Sequence, residues 1–149
     1  YGVKDADLYG YMSTGAKLPQ CVKAHGRVAR AEVLSALCHS DFTVLMRDPE
    51  KRFAQAGMPT KVTESLGCGT PVIANITSDL GNYLKDGDNS IVVEEYSAEA
   101  CAHAMERATG MTIAERADLR ANACATARAG LDYRVYADRL CTFLLGSGR

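Results

Sequence analysis

Gly57-Met58-Pro59-Thr60-Lys61-Val62-Thr63-Glu64-Ser65-Leu66-Gly67-Cys68-Gly69-Thr70-Pro71-Val72-Ile73-Ala74 is the stretch from which the fold is read. Glycine and proline punctuate its start, so the chain enters as a loop. Thr60 is expected to cap a helix through Gly67, its hydroxyl accepting from an open amide of the first turn. Cys68-Gly69-Thr70 breaks that helix. Pro71 to Ala74 is apolar without alternation, the pattern of a strand buried on both faces. Upstream, Phe42 to Met46 reads as another buried strand, and the polar segment from Asp48 to Pro59 as a loop. Val33, Leu34, Leu37 and Cys38 carry helical spacing within Ala31 to His39. A short strand is expected at Cys21 to Ala24 and a weak helix at Asp5 to Ala16. Downstream, Leu80 to Leu84 predicts a helical turn, Ser90 to Val93 a strand, and Ser97 to Ala108 a helix with Cys101, Met105 and Ala108 on one face. Thr112-x-x-Glu115 is a capping box opening a helix to about Arg128. Asp132 caps a last helix whose apolar face holds Tyr133, Tyr136, Leu140, Phe143 and Leu144. Alternating strands and helices of this kind imply an α/β fold, a doubly wound parallel sheet with helices on both faces. Such folds open with a strand and a phosphate-binding turn. This chain opens with a helix, so its first β-α unit is expected to be missing.

The chain has 149 residues, 47% hydrophobic and 23% charged, with a formal net charge of -1. That length fits one domain, residues 1–149, with a core of its own. The near-zero charge offers no field to attract nucleic acid or anionic lipid. No apolar run reaches the roughly 18 residues of a membrane span. No signal peptide is recognised at the N-terminus, and a start at Tyr1 rather than Met is expected of an excerpt. The six cysteines are scattered without a C-x-x-C pair. They read as reduced core residues of a cytoplasmic protein rather than disulfides or metal ligands.

The chemistry lies where the loop meets the helix at Thr60. Free amides of Lys61, Val62 and Thr63 are expected to point out of the helix at the positive end of its macrodipole, which attracts phosphate. Lys61 adds a mobile positive charge. Glu64, one turn in, could accept from the paired hydroxyls of a ribose. The site would lie at the carboxyl ends of the parallel strands, where open α/β sheets bind ligands. Arg47, ending a strand on that side, pairs with a phosphate or with Asp48. A plainer reading is also open: Lys followed by Glu is common on solvated helix surfaces, and the dipole alone favours Glu there.

The stretch resembles the signature of group-1 glycosyltransferases of the GT-B fold, Pro-Thr-Lys-x-x-Glu-x-(Leu/Met)-x-x-Gly-x-Pro-Val-Ile-Ala. Pro59, Thr60, Lys61, Glu64, Leu66, Gly69, Pro71, Val72, Ile73 and Ala74 match it. Ala24-His25-Gly26-Arg27-Val28 with Glu32-Val33 and Asp41 resembles the family's Gly-x-Val segment and the helix and strand after it. Asp86-Gly87-x-Asn89-x-Ile91-Val92-Val93 resembles a later turn and strand. Tyr133, Tyr136-Ala137 and Leu140 resemble the closing helix. The resemblance implies a Rossmann-like C-terminal domain that binds a nucleotide-sugar donor (UDP-, GDP- or ADP-linked) for a hexosyltransferase. It implies transfer between this domain and an N-terminal acceptor domain of a longer chain, without which this piece is expected to be inactive. Glu64 would take the second Glu of the family's E-x7-E motif and hold the ribose. Thr60, Lys61, Val62 and Thr63 would approach the diphosphate, with Lys61 the electrostatic catalytic candidate. Gly26, Arg27 and Val28 would meet the base. No metal and no cofactor beyond the donor is implied. By analogy the product is a cell-surface polysaccharide or glycolipid precursor, made in the cytoplasm by an enzyme that is itself membrane-associated in some members.

The sequence also departs from the pattern. The first Glu of E-x7-E falls at Ala56, and that Glu contacts the donor sugar in the family. Where many members carry Gly-Gly and then Glu, this chain has Ser78-Asp79 and Asn82. The cations of the first β-α unit have no counterpart. Two rivals are therefore carried: a nucleotide-sugar epimerase of the same architecture, and a non-catalytic α/β module for nucleotide or protein. His25 reads as structural, His39 and His103 lack partners at metal-ligand spacing, and Glu94-Glu95 reads as a solvated strand end. No Ser-His-Asp order, zinc spacing or G-x-G-x-x-G is present.

Overall fold

The structure is a computed structural model and describes residues 2–10, 12 and 15–146. They form two compact units, 1–36 and 37–149. In the first unit, α1 spans Asp5–Tyr9, opened by the Lys4 amide donating to Asp7 Oδ2 at 2.7 Å. It ends at Gly10; part of the longer helix expected to Ala16 lies outside the described residues. Gly26 adopts φ +62°, a conformation glycine reaches without a side-chain penalty. Its N–H donates to the Val3 carbonyl at 2.8 Å, and its carbonyl accepts from Gly2 at 2.5 Å. The strand expected at Cys21 to Ala24 does not form. The segment begins in a turn closed by Val22 N–H onto the Pro19 carbonyl, and Val22 remains 42% exposed. A strand exists only against a partner, and among the described residues no ladder reaches this segment.

Helix α2, Arg30–His39, leads into the second unit. There β1 (Thr43–Leu45), β2 (Val72–Asn75) and β3 (Ser90–Val93) form a parallel sheet in the order β1-β2-β3. Val44 lies opposite Ile73, and Ile73 opposite Ile91. The connections are α3 (Arg52–Gln55) with α4 (Thr60–Gly67), then a 3-10 turn (Ser78–Asn82). After β3 come α5 (Ala98–Gly110) and α6 (Ile113–Thr126), a π-helical segment (Ala127–Leu131), a 3-10 turn (Tyr133–Tyr136) and α7 (Ala137–Leu145). Side chains alternate across a strand, so β2 feeds two cores. Val72 and Ala74 pack with Val62, Leu66, Leu80 and Leu84 on the α4 side. Ile73 packs with Ile91, Val93, Ala104 and Ala108 on the α5 side. The fold is thus α/β with a parallel sheet covered on both faces.

The capping box holds as expected: Thr112 Oγ1 accepts from the Glu115 amide, and Glu115 Oε2 accepts from the Thr112 amide at 2.7 Å. Ser97 caps α5 singly, its Oγ accepting from the Ala100 amide at 3.1 Å. One expectation fails here. The cysteines are not core residues: Cys21, Cys38 and Cys141 are exposed and the other three half-exposed, and none is in a disulfide. The last helix leaves its apolar face in solvent, with Phe143 83% and Leu144 68% exposed. Sequence spacing reports that a face is apolar, not that something covers it.

Candidate functional site

In a parallel β-helix-β crossover, the helix starts at the carboxyl end of the first strand. That puts the N-terminus of α4 at the carboxyl edge of the sheet, beside the ends of β1 and β2. Pro59 (φ -67°, ψ 127°) is the N-cap, and no side chain caps the helix. Thr60 is the first helical residue, so its expected capping role is corrected. Thr60's own carbonyl accepts from Thr63 Oγ1 at 2.8 Å. The Val62 and Thr63 amides donate to the Pro59 carbonyl at 3.0 and 3.3 Å. The open amides are therefore those of Thr60 and Lys61, which find no acceptor among the described residues, and not those of Val62 and Thr63.

One turn of α4 sorts its side chains. Val62, Ser65 and Leu66 are buried. Lys61 is exposed and Glu64 half-buried. Thr63 and Gly67 line a cleft of about 330 Å³ closed by the π-helical segment and Arg128. Glu64's charge bears on Cys68, four residues on. Burial first, then a hydrogen bond with Cys38 and the charges of Cys38 and Glu64, push the Cys68 thiol up to about 11. A larger concavity, about 550 Å³, opens at the end of β3 between Glu94, Glu99, His103 and Arg107. It contains none of the expected donor residues.

Arg47 is only 8% exposed. Its guanidinium donates to the Phe53 carbonyl and to Thr77 Oγ1 (3.5 Å), and sits 5.8 Å above the Phe53 ring. Its backbone is held by Asn75: Arg47 N–H donates to Asn75 Oδ1 at 2.8 Å, and Asn75 Nδ2 donates to the Arg47 carbonyl at 2.7 Å. Asp48, the expected alternative partner, instead accepts from the Glu50 amide at 3.0 Å and lies 4.0 Å from Lys51. Arg47 thus ties the loop after β1 to the end of β2.

Ala56 ends α3 and is exposed, followed by Gly57 at φ +73°. Gly26, Arg27 and Val28 belong to the first unit, where Gly26's N–H and carbonyl are both bonded to residues 2–3. Two features escaped the sequence reading. Helix α3 buries Ala54 in the segment taken as loop. Ser78, just past β2, holds φ +50° without being glycine. A non-glycine residue there carries strain of the kind found at ligand sites. The departure from Gly-Gly at this position is the signal that could have located it. Away from this edge, Asp86 sits lower than an ordinary carboxylate: burial opposes its charge, but hydrogen bonds from Arg107 and Val92 and the charge of Arg107 outweigh that. Among the described residues no group of three or more His, Cys, Asp or Glu could hold a metal ion. No described helix is long and apolar enough to cross a membrane.

Comparison with known proteins gives three findings. No curated protein matches the chain. Its fold is similar to that of the sucrose-phosphate synthase of Thermosynechococcus elongatus, with a TM-score of 0.66, 19% identity and 83% of this chain covered. The chain spans 30% of that protein's length. The model of the family described as glycosyl transferase-like matches residues 4–142. With nearly its whole length matched, and the Pro59 to Ala74 signature laid out along α4 and β2, the chain belongs to the glycosyl transferase-like family.

Proposed function

We propose that this chain is the donor-binding domain of a glycosyltransferase, taking a nucleoside diphosphate sugar at the N-terminus of α4. The observation that carries the reading is the pair of open amides at Thr60 and Lys61, at the carboxyl edge of a parallel sheet. A helix N-terminus carries the equivalent of roughly half a positive charge. As the glycosidic bond breaks, negative charge grows on the departing nucleoside diphosphate. Fixed dipoles aimed at that charge, with the Lys61 ammonium, stabilise it without reorganising. Glu64, half-buried one turn in, accepts from the ribose 2′- and 3′-hydroxyls. The acceptor enters from an N-terminal domain of a longer chain, so the isolated domain binds donor and transfers nothing. The reaction belongs to polysaccharide or glycolipid assembly in the cytoplasm and uses no metal and no further cofactor. Arg47 contributes by holding the loop, since its guanidinium is already engaged.

The test is calorimetric binding of UDP, GDP and ADP and their 2′-deoxy forms. Hydrogen bonds to a charged group contribute about 1.5–3 kcal/mol each. Loss of one corresponds to roughly 10- to 100-fold in affinity. Glu64→Ala removes both hydroxyl bonds, so it is expected to weaken the ribonucleotide by at least that factor and to erase its preference over the deoxyribonucleotide. An unchanged preference removes Glu64 from the site.

A second reading, a module that binds without turnover, is favoured by Ala56, which supplies no carboxylate where the family places its sugar-contacting Glu. Release of UDP or GDP by the longer chain separates the two.

A further inference from the structure

Two thiols meet beside α4. Cys38 lies in the last turn of α2 and Cys68 at the C-cap of α4, near enough that the Cys38 side chain helps raise the Cys68 thiol. The segments that carry them are fixed to each other. Thr70 Oγ1 donates to the Leu37 carbonyl at 2.5 Å. Arg120 donates from Nη2 to the Cys38 carbonyl at 2.8 Å and from Nη1 to the Ser40 carbonyl at 2.7 Å. The same Arg120 backs onto the Cys68 side, where a Cβ on Gly69 would stand 3.5 Å from its carbonyl. Segments fixed side by side in this way need little backbone movement to bring their thiols to bonding distance, which is the main obstacle to a disulfide. We propose that Cys38 and Cys68 are an oxidation site, at which a peroxide joins the two sulfurs in an intramolecular disulfide.

The roles follow from exposure. Cys38 is exposed and meets the oxidant, whereas Cys68 is half-exposed and keeps its proton at neutral pH. The Cys38 sulfur, as thiolate, attacks one oxygen of hydrogen peroxide. The O–O bond breaks, giving a sulfenic acid and hydroxide, which takes the thiol proton as water. The Cys68 sulfur then displaces hydroxyl from the Cys38 sulfur, and that hydroxyl leaves as water with the Cys68 proton. Both sulfurs are oxidised and the peroxide is reduced. Cys68 lies one turn beyond Glu64, so the bond forms next to the carboxylate assigned to ribose. Any effect on nucleotide affinity rests on that assignment; the disulfide itself does not, and it is read separately.

Hydrogen peroxide is added to the reduced protein, remaining thiols are alkylated, and non-reduced tryptic peptides are mapped by mass spectrometry. Cys38 and Cys68 are the sole cysteines of peptides 31–47 and 62–85. The expected product is these two peptides joined, separating on reduction, while Cys38→Ser leaves peptide 62–85 alkylated. Cys124 is the competitor to watch, since a Cβ on Gly69 would stand 3.8 Å from its own Cβ. Cys68 joined to Cys124, disulfides only between separate chains, or both peptides recovered singly would overturn the proposal in the native protein, whatever the variant does. If the disulfide forms and UDP affinity is unchanged, the ribose assignment of Glu64 is what suffers.

Discussion

Asn75→Ala is the substitution whose cost can be worked most directly from the geometry. Asn75 is the last residue of β2 and 4% exposed. Its amide replaces a strand: the oxygen accepts from Arg47 N–H at 2.8 Å and the nitrogen donates to the Arg47 carbonyl at 2.7 Å. Truncation strands both backbone groups in a buried setting. Each unsatisfied buried group costs about 1–3 kcal/mol, against 0.5–1.5 for an ordinary net hydrogen bond. Relaxation lets water reach one of them, so the sum falls at roughly 2–4 kcal/mol rather than at the upper limit. Against a total stability of about 5–15 kcal/mol this is a large fraction.

Urea unfolding followed by circular dichroism reads the loss as a lower midpoint at unchanged slope. Hydrogen exchange reads its location, because the Arg47 amide loses its acceptor and exchanges faster. Asn82→Ala is the control: Asn82 is exposed and shows no side-chain hydrogen bond among the described residues, so a change within about 0.5 kcal/mol is expected. A loss below about 0.5 kcal/mol in Asn75→Ala, or unchanged protection at Arg47, would refute the assignment of this amide as the tie between the loop after β1 and the end of β2.

Leu66→Ala removes a fully buried side chain from the core between α4 and β2 and is expected to cost about 2–5 kcal/mol in the same urea assay; a loss under 1 would mean the site collapses to fill the cavity. Asp132 is held at about 2 against an ordinary 3.8, chiefly by hydrogen bonds from the Arg134 side chain and amide. Its folded value is depressed, so its contribution is present above pH 3.8 and lost as pH falls toward 2. Asp132→Asn is expected to flatten the stability–pH curve in that window alone, and an unaltered curve would dismiss the Asp132–Arg134 cap.

Much of the second unit is legible because its signals are local. The apolar run at Pro71 to Ala74 and the Thr112-x-x-Glu115 box each specify their element within a few residues. What was not legible depends on distant partners. Thr at N-cap and Thr at the first helical position look alike in sequence; Pro59 took the cap because its φ is fixed near the required value and its carbonyl collects two amides. Arg47 at a strand end looks like a ligand-facing cation. Its tie to Asn75 and Thr77 joins residues 28 and 30 positions apart, and no periodicity records it. Cys21 to Ala24 has strand-like composition but no strand beside it. The apolar face of α7 is legible as apolar, but its exposure is not, because spacing within a helix says nothing of what lies against it.

The mixture of backbone and side-chain groups at α4 determines which substitutions can report on the site. The Thr60 and Lys61 amides persist under any replacement except proline, so the dipole's attraction for a diphosphate survives most variation there. Sensitivity falls on Lys61 and Glu64, whose charged ends have no backbone substitute. A chain drifting from transfer toward simple binding would keep these features and lose side chains directed at the reacting sugar. On the proposed reading Ala56 is such a loss, and it sits at the exposed end of α3, where a small side chain disturbs no core. On the proposed reading, the nucleotide end of the ligand is thus recognised by parts that the fold itself maintains. The sugar end depends on single side chains, and that is where this sequence departs from the family signature.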